Sequence, residues 1–256
     1  MSNIGIALQL FSVRQPGAAD LPAALSRCRE AGFDFVQWNA MPDLPAPEIR
    51  RLLDTAGLKA IAGHASIEAF EQDIDAAVTF WETVGAPDIA TGARMTECCD
   101  TRDAWIAGAQ RLETLGARLR AYGMRLSYHN QAFELEPFPG EHLTKLDLLY
   151  ANTNPENLYA ELDTGWLAAA GADPATTIRA YAGRCPILHV KDLAAERDNA
   201  GNPIFTALGA GVLDWDDIFD AAEEAAAEWY VYEQDTRPGA PFDAVCQSYA
   251  FLAERA

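Results

Sequence analysis

At 256 residues, half of them apolar, the chain can bury one sizeable core, and single-domain barrels of about 250 residues are routine. Its formal net charge of -19, from 38 acidic against 19 Lys and Arg side chains, repels phosphodiester backbones and anionic lipid. Nucleic acid and membrane surfaces are therefore not expected as partners, whereas a divalent cation is. The five cysteines, Cys28, Cys98, Cys99, Cys185 and Cys246, are odd in number and lack ligand-like spacing, which argues against a disulfide framework or a structural zinc and suits a reducing cytoplasm. Met1 leads straight into an apolar strand with no basic leader, and no apolar run approaches bilayer length, so a soluble, unprocessed protein is expected.

Eight short apolar runs, at 4–10, 33–38, 58–63, 87–91, 124–129, 158–163, 186–190 and 229–233, read as strands. Amphipathic stretches at 21–31, 46–56, 68–84, 102–122, 141–151, 174–181, 215–227 and 242–253 read as the helices between them. Gly32, Gly57, Gly85 and Gly123 stand where a helix stops and a strand begins, the place of a left-handed cap. Repeated β-α units of this kind build a parallel sheet. An open doubly wound sheet would carry a Gly-rich loop after its first strand, and this chain has Gln9-Leu10-Phe11-Ser12-Val13-Arg14 there, so the expectation is one closed (β/α)8 TIM barrel, class α/β, over residues 1–256. The longest irregular stretch, 191–213, leaves the carboxyl end of the seventh strand, where barrels place their chemistry. Its Gly209-Ala210-Gly211 reads as a turn.

Metal-capable side chains recur with the strand period: His129, Asp163, His189 and Glu233 fall at or near the ends of the fifth to eighth strands. In a barrel those ends converge on one mouth, so two imidazoles and two carboxylates would suit Mn2+, Mg2+, Co2+ or Zn2+. Each residue also has a structural reading: His129 as a hydrogen-bonded core histidine, Asp163 as the N-cap of a helix opening at Thr164, Glu233 as a partner of Arg237. Taken together the four point to a cation site. Glu161 shares the strand parity of Asp163, faces the interior, and is expected to bond a neighbour or support the metal ligands. His142 lies away from any strand end and receives no role.

Five segments, Ile6-Ala7-Leu8-Gln9-Leu10-Phe11-Ser12-Val13-Arg14, Tyr128-His129-Asn130-Gln131-Ala132-Phe133-Glu134, Glu161-Leu162-Asp163-Thr164-Gly165-Trp166, His189-Val190-Lys191-Asp192 and Tyr232-Glu233-Gln234-Asp235, resemble in order the strand-end motifs of the sugar phosphate isomerase/epimerase family, whose fold is the xylose isomerase-like barrel. The resemblance implies a divalent metal on Asp163, His189 and Glu233. Many members offer Glu from the fifth strand where this chain offers His129, so the second acid-base role would pass to Glu134 or Lys191. Tyr128-His129-Asn130-Gln131 resembles a variant common in one branch of the family, which usually has His where Gln131 stands.

The implied chemistry is isomerisation or epimerisation of a small sugar through a metal-stabilised enediolate, with a lyase or dehydratase acting on a keto-sugar or keto-acid as the alternative. Glu233 and Glu134 are the carboxylate base candidates. Lys191 would donate to a substrate oxygen, act as a base if the site lowers its pKa, or simply pair with Asp192. His64, Gln9, Asn130 and Trp166 are the candidate carbohydrate contacts, with helix packing the competing reading for Trp166. A related DNA-repair family shares the barrel, but its chemistry needs a basic stripe that this chain lacks. A non-catalytic sugar-binding module and a homodimer paired through exposed helices complete the expectations.

Overall fold

The computed structural model describes residues 4–92, 100–235 and 241–255. Ten strands are present among them: β1 (Gly5–Gln9), β2 (Phe35–Trp38), β3 (Lys59–His64), β4 (Asp88–Gly92), β5 (Arg125–His129), β6 (Tyr159–Asp163), β7 (Ile187–Val190), β8 (Asp192–Arg197), β9 (Pro203–Thr206) and β10 (Trp229–Tyr232). Eight of these close into a parallel barrel in the order β1-β10-β7-β6-β5-β4-β3-β2, as the alternation of apolar runs and helices predicts. The remaining two, β8 and β9, form an antiparallel hairpin inside the stretch expected to be irregular.

Helix boundaries depart from the periodicity in two places, and both trace to a capping side chain. The stretch 68–84 is two helices, Ile67–Gln72 and Ile74–Val84, because Asp73 adopts an extended backbone and accepts from Ala76 N as the N-cap of the second. The stretch 141–151 is helical only over Lys145–Ala151, where Thr144 and Asp147 form a reciprocal capping box. Gly57 and Gly85 hold the left-handed caps that their positions demand. Cys28 and Cys185 are buried free thiols and Cys246 is an exposed one; Cys98 and Cys99 lie outside the described residues.

Strand alternation stacks the interior in layers. Ala7, Ile187 and Val231 pack with Ile61 and Ala62 as an apolar floor. Two residues further along the same strands stand Gln9, His189 and Glu233, so the polar layer follows from the two-residue period. At the opposite, amino-terminal rim, Arg125 closes the barrel by pairing with Asp88 and Glu228, each at 2.7 Å.

Outside the barrel the long helix Arg102–Ala121 lies against the turn before β6, and Gly116 makes the approach possible: a Cβ there would stand 1.8 Å from the carbonyl oxygen of Asn157. Gly116→Ala is expected to destabilise the protein by about 1–3 kcal/mol through overpacking against backbone, read as a lower midpoint in thermal denaturation.

Candidate metal centre

Four side chains from consecutive barrel strands meet at the carboxyl end. His129 ends β5, Asp163 ends β6, His189 lies in β7 opposite Asp163, and Glu233 follows β10. Their potential ligand atoms all lie within 4.8 Å of one another, and all four residues are buried. Donors about 2.1 Å from a common centre lie at most about 4.2 Å apart, and His129 Nε2 to Asp163 Oδ2 at 3.4 Å, His129 Nε2 to Glu233 Oε2 at 3.9 Å and His189 Nδ1 to Glu233 Oε2 at 2.9 Å fall within that span.

Hydrogen bonding beneath the cluster fixes which atom of His189 faces it. Burial alone would raise the pKa of Glu161, but the adjacent His189 and His64 rings outweigh it and hold the carboxyl well below the usual range. An ionised carboxylate only accepts, so the nitrogen of the Gln37 amide is the atom that meets Glu161 Oε2 at 2.8 Å. Gln37 Oε1 then accepts from Gln9 Nε2 at 2.8 Å and from His189 Nε2 at 2.6 Å. His189 therefore carries a proton on Nε2 and turns Nδ1 toward Glu233 Oε2, 2.9 Å away. Two lone pairs do not meet at that distance without a cation between them.

A proton or a metal ion can fill that role, and the other two members favour the metal. His129 Nε2 and Asp163 Oδ2 stand 3.4 Å apart, fully buried, and neither has a hydrogen-bond partner among the described residues. Orphaned buried polar atoms are costly, and a shared ion satisfies both at once. Lys191 Nζ lies 3.0 Å from Asp163 Oδ2 but not in hydrogen-bonding geometry, so it neutralises that oxygen without satisfying it. The cluster fits a divalent metal ion, with Glu161 and Gln37 orienting the His189 ligand from behind.

Asp163 is the N-cap of the helix opening at Thr164, as one of its readings has it, and its second oxygen is free of that role. Its Oδ1 accepts from Trp166 N at 2.8 Å and caps the helix Thr164–Ala169, while Oδ2 faces the cluster. Glu161 supports the site as expected, pairing with His64 Nε2 at 2.6 Å and His189 Nε2 at 3.0 Å. The proposed Glu233 partner Arg237 lies outside the described residues.

Several expectations need correction. Glu134 is buried on the wrong side of the barrel wall: it accepts from the Tyr128 hydroxyl at 2.8 Å and from Gln131 N at 2.8 Å, and Tyr128, one residue before His129, points away from the mouth. Lys191 is no base. Burial would lower its pKa, but Asp163, Glu233 and Asp235 outweigh that and hold the ammonium above the ordinary lysine range. Nor does it pair with Asp192, whose buried carboxylate accepts from Gly209 N, Gly211 N and Trp215 Nε1.

Among the expected sugar contacts, Gln9 and Asn130 are fully buried, and Asn130 Oδ1 accepts from Asp163 N at 3.1 Å, so both brace the site rather than line its opening. His64 reaches the mouth but its Nε2 is taken by Glu161. Trp166 packs edge-on against Phe205 with ring centroids 4.8 Å apart.

Gln37 and Asp235 were not singled out from the sequence as site residues. For Gln37 the signal was present: an uncharged polar residue inside an apolar strand, at the parity of the barrel interior.

Residues 25–255 match the family model described as xylose isomerase-like TIM barrel. An inosose dehydratase from Lacticaseibacillus casei is 30% identical over 168 residues, covering 59% of this chain and 55% of that protein. The chain thus spans about half the length of the curated relatives it matches. Among solved structures, a sugar phosphate isomerase/epimerase from Parabacteroides distasonis superposes with a TM-score of 0.81 at 19% identity, covering 98% of each chain. A xylose isomerase-like TIM barrel protein from Mycobacterium smegmatis, in complex with magnesium, superposes with a TM-score of 0.74 at 16% identity, covering 99% of this chain and 97% of that one. These likenesses show the fold. No helix among the described residues is long and apolar enough to cross a membrane.

The proton on His189 gives the metal-free protein a defined pH signature. Burial pushes the imidazolium down, but Glu161 and Glu233 outweigh it and hold the pKa up to about 10. A raised histidine contributes stability that is fully present below the unfolded pKa near 6.5 and is lost as pH climbs to about 10. Denaturant midpoints of chelator-treated protein are expected to fall across that window, and those of the metal-loaded protein to fall less; a flat metal-free profile would contradict the assignment.

Proposed function

The chain belongs to the xylose isomerase-like TIM barrel family, and from that premise we propose that it is an enzyme that uses a divalent metal to enolise a small polyhydroxylated ketone and eliminate water from it. The observation that carries the reading is the set of His129 Nε2, Asp163 Oδ2, His189 Nδ1 and Glu233 Oε2, four donors for which no cation among the described residues satisfies all of them. When bound there, a divalent ion supplies Lewis acidity for negative charge developing on a substrate carbonyl oxygen.

The protein's own groups divide the remaining work. Glu233 takes the proton from the carbon beside the carbonyl, since it is the cluster carboxylate nearest solvent, and Asp163 and Glu161 are fully buried and engaged elsewhere. Lys191, whose Nζ lies 3.3 Å from Glu233 Oε2, would give its proton to a hydroxyl on the next carbon. The carbon–oxygen bond breaks, a carbon–carbon double bond forms, and the hydroxyl leaves as water. A single carboxylate base beside a lysine held cationic suits elimination, which needs one base and one acid. The similarity to an inosose dehydratase supports the same outcome.

Isomerisation or epimerisation is the second reading. In isomerisation Glu233 would return the proton to the neighbouring carbon, in epimerisation a proton would come back to the same carbon from the opposite face, and in neither would a carbon–oxygen bond break. For the partner, a small neutral carbohydrate is proposed; the charge of -19 disfavours nucleic acid.

Metal-loaded protein incubated with inososes, 3-keto-sugars and ketoses and followed by mass spectrometry separates the readings. Elimination is expected to give products lighter by one water, whereas unchanged mass with a new retention time would establish isomerisation. Glu233→Gln is expected to lose about a hundredfold or more of the turnover, as removal of a general base does, and full activity in that variant would contradict the assignment.

A further inference from the structure

Lys191 stands where a metal ion would find it in the way. Its ammonium is within reach of three carboxylates: Asp235 Oδ2 at 2.7 Å, Asp163 Oδ2 at 3.0 Å and Glu233 Oε2 at 3.3 Å. Two of those oxygens belong to the candidate metal ligands, so the lysine and a divalent ion compete for the same negative charge. The side chain has little room to retreat. It is fully buried, with Phe205 and Trp166 rings 5.0 Å and 5.4 Å from Nζ, and its stem lies so close to Gly165 that a Cβ there would come within 2.8 Å of Cγ.

Asp235 is the one of the three outside the cluster, and it alone hydrogen-bonds the ammonium. The backbone that carries it is clamped from the loop after β1, where Arg14 Nη2 donates to Asp235 O at 2.9 Å and Ser12 Oγ accepts from Gln234 N at 3.0 Å. We propose that Asp235 is a positioning residue that competes with Asp163 and Glu233 for the Lys191 ammonium, taking its one hydrogen bond to the three carboxylates, so that metal affinity depends on a carboxylate outside the cluster. Without Asp235 the lysine has only the metal ligands as counter-charge and closes onto them. With it, the ammonium keeps its hydrogen bond to Asp235 beside the site.

This inference rests on the proposed cation site, and calorimetric titration of chelator-stripped protein with Mn2+ separates the two. Asp235→Asn is expected to weaken Mn2+ binding by about tenfold or more, within the range for residues that act on a metal through its ligands. Lys191→Met is expected to bind at least as tightly as the wild type, and the double variant to recover the affinity of Lys191→Met. That recovery cannot come from a misfolded Asp235→Asn protein or from a lost ligand. Unchanged affinity in Asp235→Asn, or a double variant as weak as Asp235→Asn, overturns the inference while leaving the site standing. Failure of the wild type to bind Mn2+ overturns both.

Discussion

The site turns on one contact, the approach of His189 Nδ1 to Glu233 Oε2. The amide of Gln37, oriented by an ionised Glu161, assigns the only neutral-ring proton of His189 to the far nitrogen, so the near one is left as an acceptor facing an acceptor. A buried arrangement of that kind is stable only with a cation in it. The rest of the polar layer can be read as the apparatus that keeps this contact in place and makes the cation exchangeable.

That apparatus is built from strand geometry. Three barrel strands contribute an apolar side chain to the floor and, two residues later, a polar one to the mouth: Ala7 precedes Gln9, Ile187 precedes His189 and Val231 precedes Glu233. Buried polar groups at this level are networked across strands: Gln9 to Gln37, Gln37 to Glu161 and His189, Asn130 to the Asp163 backbone. Such a network is expensive when one member is missing and rigid when complete, which suits ligands that have to hold a fixed spacing. Lys191 adds a positive charge to a cluster otherwise rich in carboxylate, and Asp235 balances it from outside.

Much of this was legible before any coordinates. The barrel followed from the β-α alternation, and the four cluster residues from their recurrence at strand ends, because both depend on periods that the chain itself displays. What failed to show was the direction of side chains in loops. Glu134 lies five residues past the end of β5 and its fate was decided by a local bond to the backbone of Gln131, which no periodicity reports. The protonation of Lys191 was likewise unreadable, since it depends on Asp235 and Asp163, distant in the chain and brought together only by closure of the barrel. Asp73 and Thr144 moved helix boundaries for a comparable reason, as each cap competes locally with the helical period.

Anomalous diffraction from crystals grown with Mn2+ tests the central claim most directly. A single strong peak bonded to His129 Nε2, Asp163 Oδ2, His189 Nδ1 and Glu233 Oε2 is the predicted result. Density showing Lys191 seated between Asp163 and Glu233 with no anomalous peak at saturating Mn2+ would contradict it.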